Sequence, residues 1–136
     1  MKIYFSASVT GGRNDAPIYS EIVRMLKTYG EVLSEKNGDL ALTSLGDTDI
    51  TDEDIYKRDI RWLKESDVIV AEVTTPSLGV GYEVASASFL GKKVLCIYRE
   101  IPQKRVSAMI RGDKKLIVKM YKTADELKII FDNYLK

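Results

Sequence analysis

Two carboxylates and two small-residue stretches carry the residue types and spacings in this sequence that suit chemistry. Residues Thr74, Thr75, Pro76, Ser77, Leu78, Gly79, Val80, Gly81, Tyr82 and Glu83 follow an apolar run and lead into Val84, Ala85, Ser86, Ala87 and Ser88. Pro76 and Ser77 suit a loop entering a helix, where free N–H groups and the positive end of the helix dipole favour a phosphate or a carboxylate. Glu83 is expected in that first turn, with its charge favoured. A carboxylate held ionised near the end of a central strand meets the requirement for attack on an anomeric carbon. Glutamate is also common in first turns because it complements the dipole, so the stretch alone leaves both readings open.

The second carboxylate is Asp59, which lies four residues after Ile55 and three and four before Trp62 and Leu63, on a helix face shared with apolar residues. Such an acid is either solvated at the helix edge or turned toward the site as proton donor or orienting group for a leaving group. Glu72 is a lower-ranked rival, since burial beside a Lys or a backbone partner explains it equally well. The other small-residue stretch is Ser6, Ala7, Ser8, Val9, Thr10, Gly11, Gly12 and Arg13, able to bring backbone N–H groups and hydroxyls close to an anion. It has neither P-loop nor dinucleotide-fingerprint spacing, and a plain strand-to-helix turn is the competing explanation. Tyr82 and Tyr98 could stack on a base, but packing between sheet and helix is commoner, and Trp62 and Cys96 read as core.

The elements that must position these groups follow from periodicity. Apolar runs at residues 3–5, 32–33, 68–73, 94–98 and 116–120 read as strands, and the third, apolar on successive residues, suits a central parallel strand covered on both faces. Helical stripes are formed by Ile18, Ile22, Met25, Leu26 and Tyr29, and by Leu127, Ile130, Phe131, Tyr134 and Leu135. Thr51 or Asp52 caps a further helix running to about Ser66. This alternation predicts an α/β fold: a five-stranded parallel sheet sandwiched by helices, flavodoxin-like or Rossmann-like, with ligands outside the carboxyl ends of the strands. Residues 35–50 read as a loop beside the mouth of the site, and residues 1–136 as a single domain.

The chain has 136 residues, 45% apolar and 30% charged, with 21 basic against 20 acidic side chains. That balance gives no field for nucleic acid or a membrane surface and favours a small ligand. With no His and Cys96 as the one cysteine, neither a disulfide framework nor a conventional zinc site can be assembled, so metal-free, cofactor-free chemistry is expected. No signal-peptide pattern and no membrane-length apolar run occurs, which makes a reducing cytoplasmic setting the expectation.

At Tyr4-Phe5, Gly11-Gly12-Arg13, Asp59 with Trp62-Leu63, Asp67-Val68, Ala71-Glu72-Val73-Thr74, Pro76 through Glu83, and Ser107-Ala108-Met109-Ile110-Arg111-Gly112, the sequence resembles the 2′-deoxynucleoside 5′-phosphate N-hydrolases of the nucleoside 2-deoxyribosyltransferase superfamily. The match spans nearly the whole chain. The resemblance implies a homodimer in which Glu83 attacks C1′ of a nucleotide, Asp59 assists departure of the base, Tyr4 positions the nucleophile, and water releases 2-deoxyribose 5-phosphate. It further implies that the first loop (Ala7, Ser8, Val9, Thr10, Gly11, Gly12, Arg13) holds the 5′-phosphate together with Ser77 and Gly79, while Ser107, Ala108 and Met109 reach in from the partner subunit. Ala7 and Thr10 depart from the family's usual Gly and Arg, and Arg13 or Arg111 stands as the replacement cation. Base transfer between nucleosides, hydrolysis of CMP or a modified CMP, and a non-enzymatic nucleotide sensor are the competing readings.

Overall fold

The computed structural model describes residues 1–8, 15–34 and 50–136. Strand and helix alternate along the chain: β1 (Lys2–Ser6), α1 (Ala16–Leu26), β2 (Glu31–Val32), α2 (Asp52–Glu65), β3 (Val68–Glu72), α3 (Leu78–Phe89), β4 (Lys93–Tyr98), α4 (Ala108–Arg111), β5 (Ile117–Met120) and α5 (Ala124–Leu135). The strands form one sheet in the order β2-β1-β3-β4-β5, every described pairing parallel. This is the flavodoxin-like order, whose topological switch point lies at the carboxyl ends of β1 and β3.

Strand alternation divides the sheet's two faces. Ile3 and Phe5 of β1, with Val68 and Val70 of β3, pack against Tyr19, Ile22 and Leu26 of α1 and Leu127 and Phe131 of α5. Tyr4 of β1, with Ile69 and Ala71 of β3, packs on the other face against Leu63 of α2 and Val80, Val84 and Ala87 of α3. Side chains two residues apart share a face, so Ser6 joins Tyr4 on the α2/α3 side and Glu72 joins Val70 on the α1/α5 side. All five residues of β3 are buried, as its unbroken apolar run requires.

Local signals account for the helix boundaries. Thr51 caps α2, its Oγ1 accepting from Asp54 N at 3.2 Å, and three acids in the first turn complement the dipole. Thr123 and Glu126 form a full capping box on α5. The expected stripe through Tyr29 runs past the end of α1. Tyr29 packs there edge-on against Phe131 and donates its hydroxyl to Asp132 at 2.6 Å. Gly30 follows because a Cβ would lie 2.2 Å from the Met1 carbonyl oxygen. Among the described residues no helix is long and apolar enough to cross a membrane. Most of the first loop, residues 9–14, and residues 35–49 lie outside the described residues.

Candidate active site

Three elements meet around Glu83. Tyr4 and Ser6, two residues apart on β1, face α3, and both reach the same carboxylate: the Tyr4 hydroxyl donates to Glu83 Oε2, and Ser6 Oγ donates to Oε1 at 3.2 Å. Tyr4 and Ser6 are themselves fully buried. From α2, the Asp59 charge acts on both Tyr4 and Glu83. Asp59 is half-buried and paired with Arg58, whose Nε lies 3.0 Å from Asp59 Oδ1. The Arg58 guanidinium in turn sits 4.9 Å from the centre of the half-buried Trp62 ring.

The expected placement of Glu83 needs correction on one point. Ser77 caps α3, its Oγ accepting from Val80 N at 3.3 Å, and the helix begins at Leu78. Glu83 is therefore the sixth residue of α3, in its second turn. The helix dipole acts mainly on the terminal turn, and its benefit does not govern this carboxylate. Burial does: it pushes Glu83 up to about 7, helped by the Asp59 charge and opposed by the hydrogen bonds from Tyr4 and Ser6 and by Arg58. The Tyr4 hydroxyl is driven far above its ordinary value by burial and by the two acids, so it stays protonated and serves as a donor.

The residues expected to hold a phosphate divide into those the structure places and those outside it. Ala7 and Ser8 follow β1 directly and are buried, and the Ser8 hydroxyl has no hydrogen-bond partner among the described residues. A buried hydroxyl without a partner costs free energy unless something fills its valence. Val9, Thr10, Gly11, Gly12 and Arg13 lie outside the described residues. Ser77 and Gly79 open α3, where the Leu78 and Gly79 N–H groups have no intrahelical acceptor. A Cβ at Gly79 would meet only Ser77 Oγ, at 3.9 Å, so approach to this helix end is open. Such an end suits an anion.

Ser107, Ala108 and Met109 stand in and beside the short α4, with Ser107 Oγ accepting from Met109 N at 3.2 Å. All three are exposed, Met109 at 83%. Ser107 and Met109 line a groove of about 1050 Å³ whose opposite wall is α3, from Ser77 and Leu78 through Tyr82 to Phe89. Glu83 is not part of that lining: the groove runs along a neighbouring face of α3. Leu78 and Phe89 are 96% and 87% exposed there.

Other singled-out residues take structural places. Glu72 projects to the sheet face opposite Glu83 and is fully buried with a backbone partner at Thr74 N, 2.7 Å away, as its lower rank anticipated. Cys96 lies inside β4, and burial pushes its thiol up to about 12, which suits a core residue and not a nucleophile. Tyr98 is half-buried against the core, whereas Tyr82 is exposed and meets Tyr56 of α2 edge-to-face with centroids 6.2 Å apart. Arg58 was not singled out by the sequence, and Ser6 was read as part of the small-residue stretch after β1, although its two-residue spacing from Tyr4 marks it as a neighbour on the strand face.

Known proteins resemble this chain in sequence and in fold. The family model described as nucleoside 2-deoxyribosyltransferase matches residues 3–125. A 5-hydroxymethyl-dUMP N-hydrolase of Esox lucius is 48% identical over all of this chain and 97% of its own. Among solved structures, the CMP N-glycosidase BcmB of Clostridium botulinum superimposes with a TM-score of 0.68 at 22% identity, covering 99% of this chain and 100% of its own. The 2-deoxyribosyltransferase of Bacillus psychrosaccharolyticus does so with a TM-score of 0.69 at 16% identity, over 94% of this chain and 90% of its own.

Proposed function

The chain belongs to the nucleoside 2-deoxyribosyltransferase family, and from that premise we propose that it is an enzyme hydrolysing the N-glycosidic bond of 2′-deoxynucleoside 5′-monophosphates. The observation that carries this reading is a half-buried carboxylate, Glu83, held by two donors from the end of β1 and within reach of the charge of a second acid, Asp59. The relative from Esox lucius is named for the same class of reaction.

Departure of a nucleobase from C1′ passes through an oxocarbenium-like state, which needs negative charge beneath the anomeric carbon and a group to help the base away. Glu83 supplies the first as nucleophile, forming a glycosyl-enzyme. Tyr4 and Ser6 fix the carboxylate's orientation, so little motion separates the bound state from attack. Asp59 serves the leaving base as proton donor or orienting group. Water then opens the intermediate and releases 2-deoxyribose 5-phosphate. The 5′-phosphate lies against the start of α3 at Ser77 and Gly79, with Ala7 and Ser8 on its other side; Val9, Thr10, Gly11, Gly12 and Arg13, also expected as phosphate contacts, lie outside the described residues.

Two copies pair across the groove between α3 and α4. Leu78, Phe89 and Met109 are large apolar side chains left exposed along this groove, the kind of surface a partner copy can cover. Pairing brings Ser107, Ala108 and Met109 of each copy toward the site of the other. The 1–136 segment acts as one catalytic domain in a cytoplasmic setting.

The test is chromatography of products after incubation with 5-hydroxymethyl-dUMP, dGMP, dCMP, their ribose counterparts and the unphosphorylated nucleosides. Free base released from deoxy monophosphates alone supports the reading. Release from CMP, or exchange of bases between unphosphorylated nucleosides, overturns it in favour of a ribonucleotide hydrolase or a transferase.

A further inference from the structure

Behind the turn that leads into α3 lies a polar web of hydrogen bonds and ion pairs that the reaction chemistry does not use. Glu72, fully buried at the end of β3, accepts from Thr74 N at 2.7 Å through Oε1 and from the Tyr121 hydroxyl through Oε2. Arg99, just after β4, sets Nε 3.9 Å from Glu72 Oε2 and Nη2 2.7 Å from Asp15 Oδ2. Asp15 immediately precedes α1, and its Oδ2 also accepts from Thr75 Oγ1 at 3.1 Å. The Arg99 backbone N–H donates to Thr74 Oγ1 at 2.9 Å, and Val73 N–H donates to the Ile97 carbonyl at 2.9 Å.

Each residue from Val73 to Thr75 is thus tied to another element, and Pro76 has its φ fixed by its ring. The next residue is Ser77. A fully buried carboxylate is expensive, and burial pushes Glu72 above the ordinary carboxylate range. Replacing such a buried group together with its partners by apolar residues of similar volume is often neutral or stabilising. What an apolar residue cannot do is hold a backbone N–H, a hydroxyl and a guanidinium at once, and through the guanidinium reach the start of α1. The web joins the turn after β3, which leads to the proposed phosphate contacts Ser77 and Gly79, to Asp15 at the start of α1.

We infer that Glu72 and Arg99 are positioning residues that set the turn at residues 74–77 against the start of α1 and so fix the cradle for the substrate's 5′-phosphate. This rests on the reading of Ser77 and Gly79 as phosphate contacts. Neither residue touches the reacting atoms: Glu72 lies on the sheet face opposite Glu83. The effect therefore falls on the hold over the phosphate and leaves bond cleavage largely alone.

The experiment measures steady-state kinetics of Glu72→Gln, Arg99→Lys and Tyr121→Phe on the deoxynucleoside monophosphate the wild type cleaves best, with 2-deoxyribose 5-phosphate as competitive inhibitor. Glu72→Gln keeps the shape but loses the charge, and Arg99→Lys leaves one ammonium where a fork bridged two carboxylates. Both are expected to raise KM and the inhibition constant together by about tenfold while kcat stays within about threefold. Tyr121→Phe, which removes a single donor, shifts both constants in the same direction by less, and it carries the test together with Arg99→Lys should Glu72→Gln fail to fold. Unchanged KM and inhibition constant, or a fall in kcat alone, overturns the inference. A wild type that cleaves nucleosides and nucleotides equally removes the phosphate reading first, before any variant is compared, and the inference falls with it.

Discussion

A buried carboxylate that must be ionised to attack works against its own surroundings, and Glu83 shows this conflict in its ionisation. Burial pushes it up to about 7, so a large fraction of the free protein carries a protonated Glu83 at neutral pH. The log of kcat/KM should therefore rise with pH and level off above about 7, with the acid limb set by Glu83. Tyr4→Phe removes a donor that favours the ionised carboxylate, so the limb moves to higher pH; an unmoved limb separates Tyr4 from the carboxylate. The same conflict acts on stability. Below the ordinary value of 4.5 Glu83 is protonated both folded and unfolded, and between 4.5 and about 7 the folded state binds its proton more tightly. Stability thus falls as pH rises through that window, by at most about 3 kcal/mol at 1.36 kcal/mol per unit. Glu83→Gln lacks this slope, so its melting temperature gains on the wild type at pH 8 and the advantage shrinks at pH 5. Parallel curves for the two proteins would contradict the ionisation. Glu83 stood out as candidate because it ends a long motif, and Asp59 because an acid on a helix face shared with Ile55, Trp62 and Leu63 wants a reason. Ser6 was read only as part of an anion-binding stretch, since its contact with Glu83 depends on the strand face it shares with Tyr4.

At the scale of elements, α3 performs two jobs on two faces. One presents Glu83 inward; the other leaves Leu78, Tyr82 and Phe89 toward solvent. Phe89→Asp places a charge in the proposed contact between copies. It should shift the protein to monomer in sedimentation and lower kcat/KM by about tenfold or more, while the monomer unfolds at a nearly unchanged temperature. A dimer that survives with full activity would place the partner elsewhere. Ser77→Ala removes the cap of α3 and should cost about 1 kcal/mol in denaturant unfolding, with KM for the phosphorylated substrate raised. Glu83 was expected in the first turn of this helix, whereas the helix begins at Leu78 and runs through Gly79 and Gly81. The Ser77 cap and the burial of Val80 and Val84 outweigh the cost of two glycines. The web of Glu72, Arg99, Asp15 and Tyr121 was illegible for another reason: its members come from four separate regions of the chain, and no local pattern links them.

The molecule as a whole was more legible than its details. Apolar runs separated by helical stripes gave five parallel strands, their centres within a residue or two of those observed, because a sheet covered on both faces forces continuous apolar strands. The strand order then puts the switch point at β1 and β3, where Tyr4, Ser6 and the turn into α3 converge. Expectations for the glycine-rich half of the first loop and for residues 35–49 fall outside the described residues. The most direct test of the account compares wild type and Glu83→Gln side by side on 5-hydroxymethyl-dUMP and dGMP, following free base and 2-deoxyribose 5-phosphate over time. The account predicts equal amounts of both products from the wild type and a fall in kcat of about a thousandfold or more in the variant, with substrate affinity nearly kept. Intact nucleotide after prolonged incubation with the wild type, or wild-type turnover by Glu83→Gln, would contradict it.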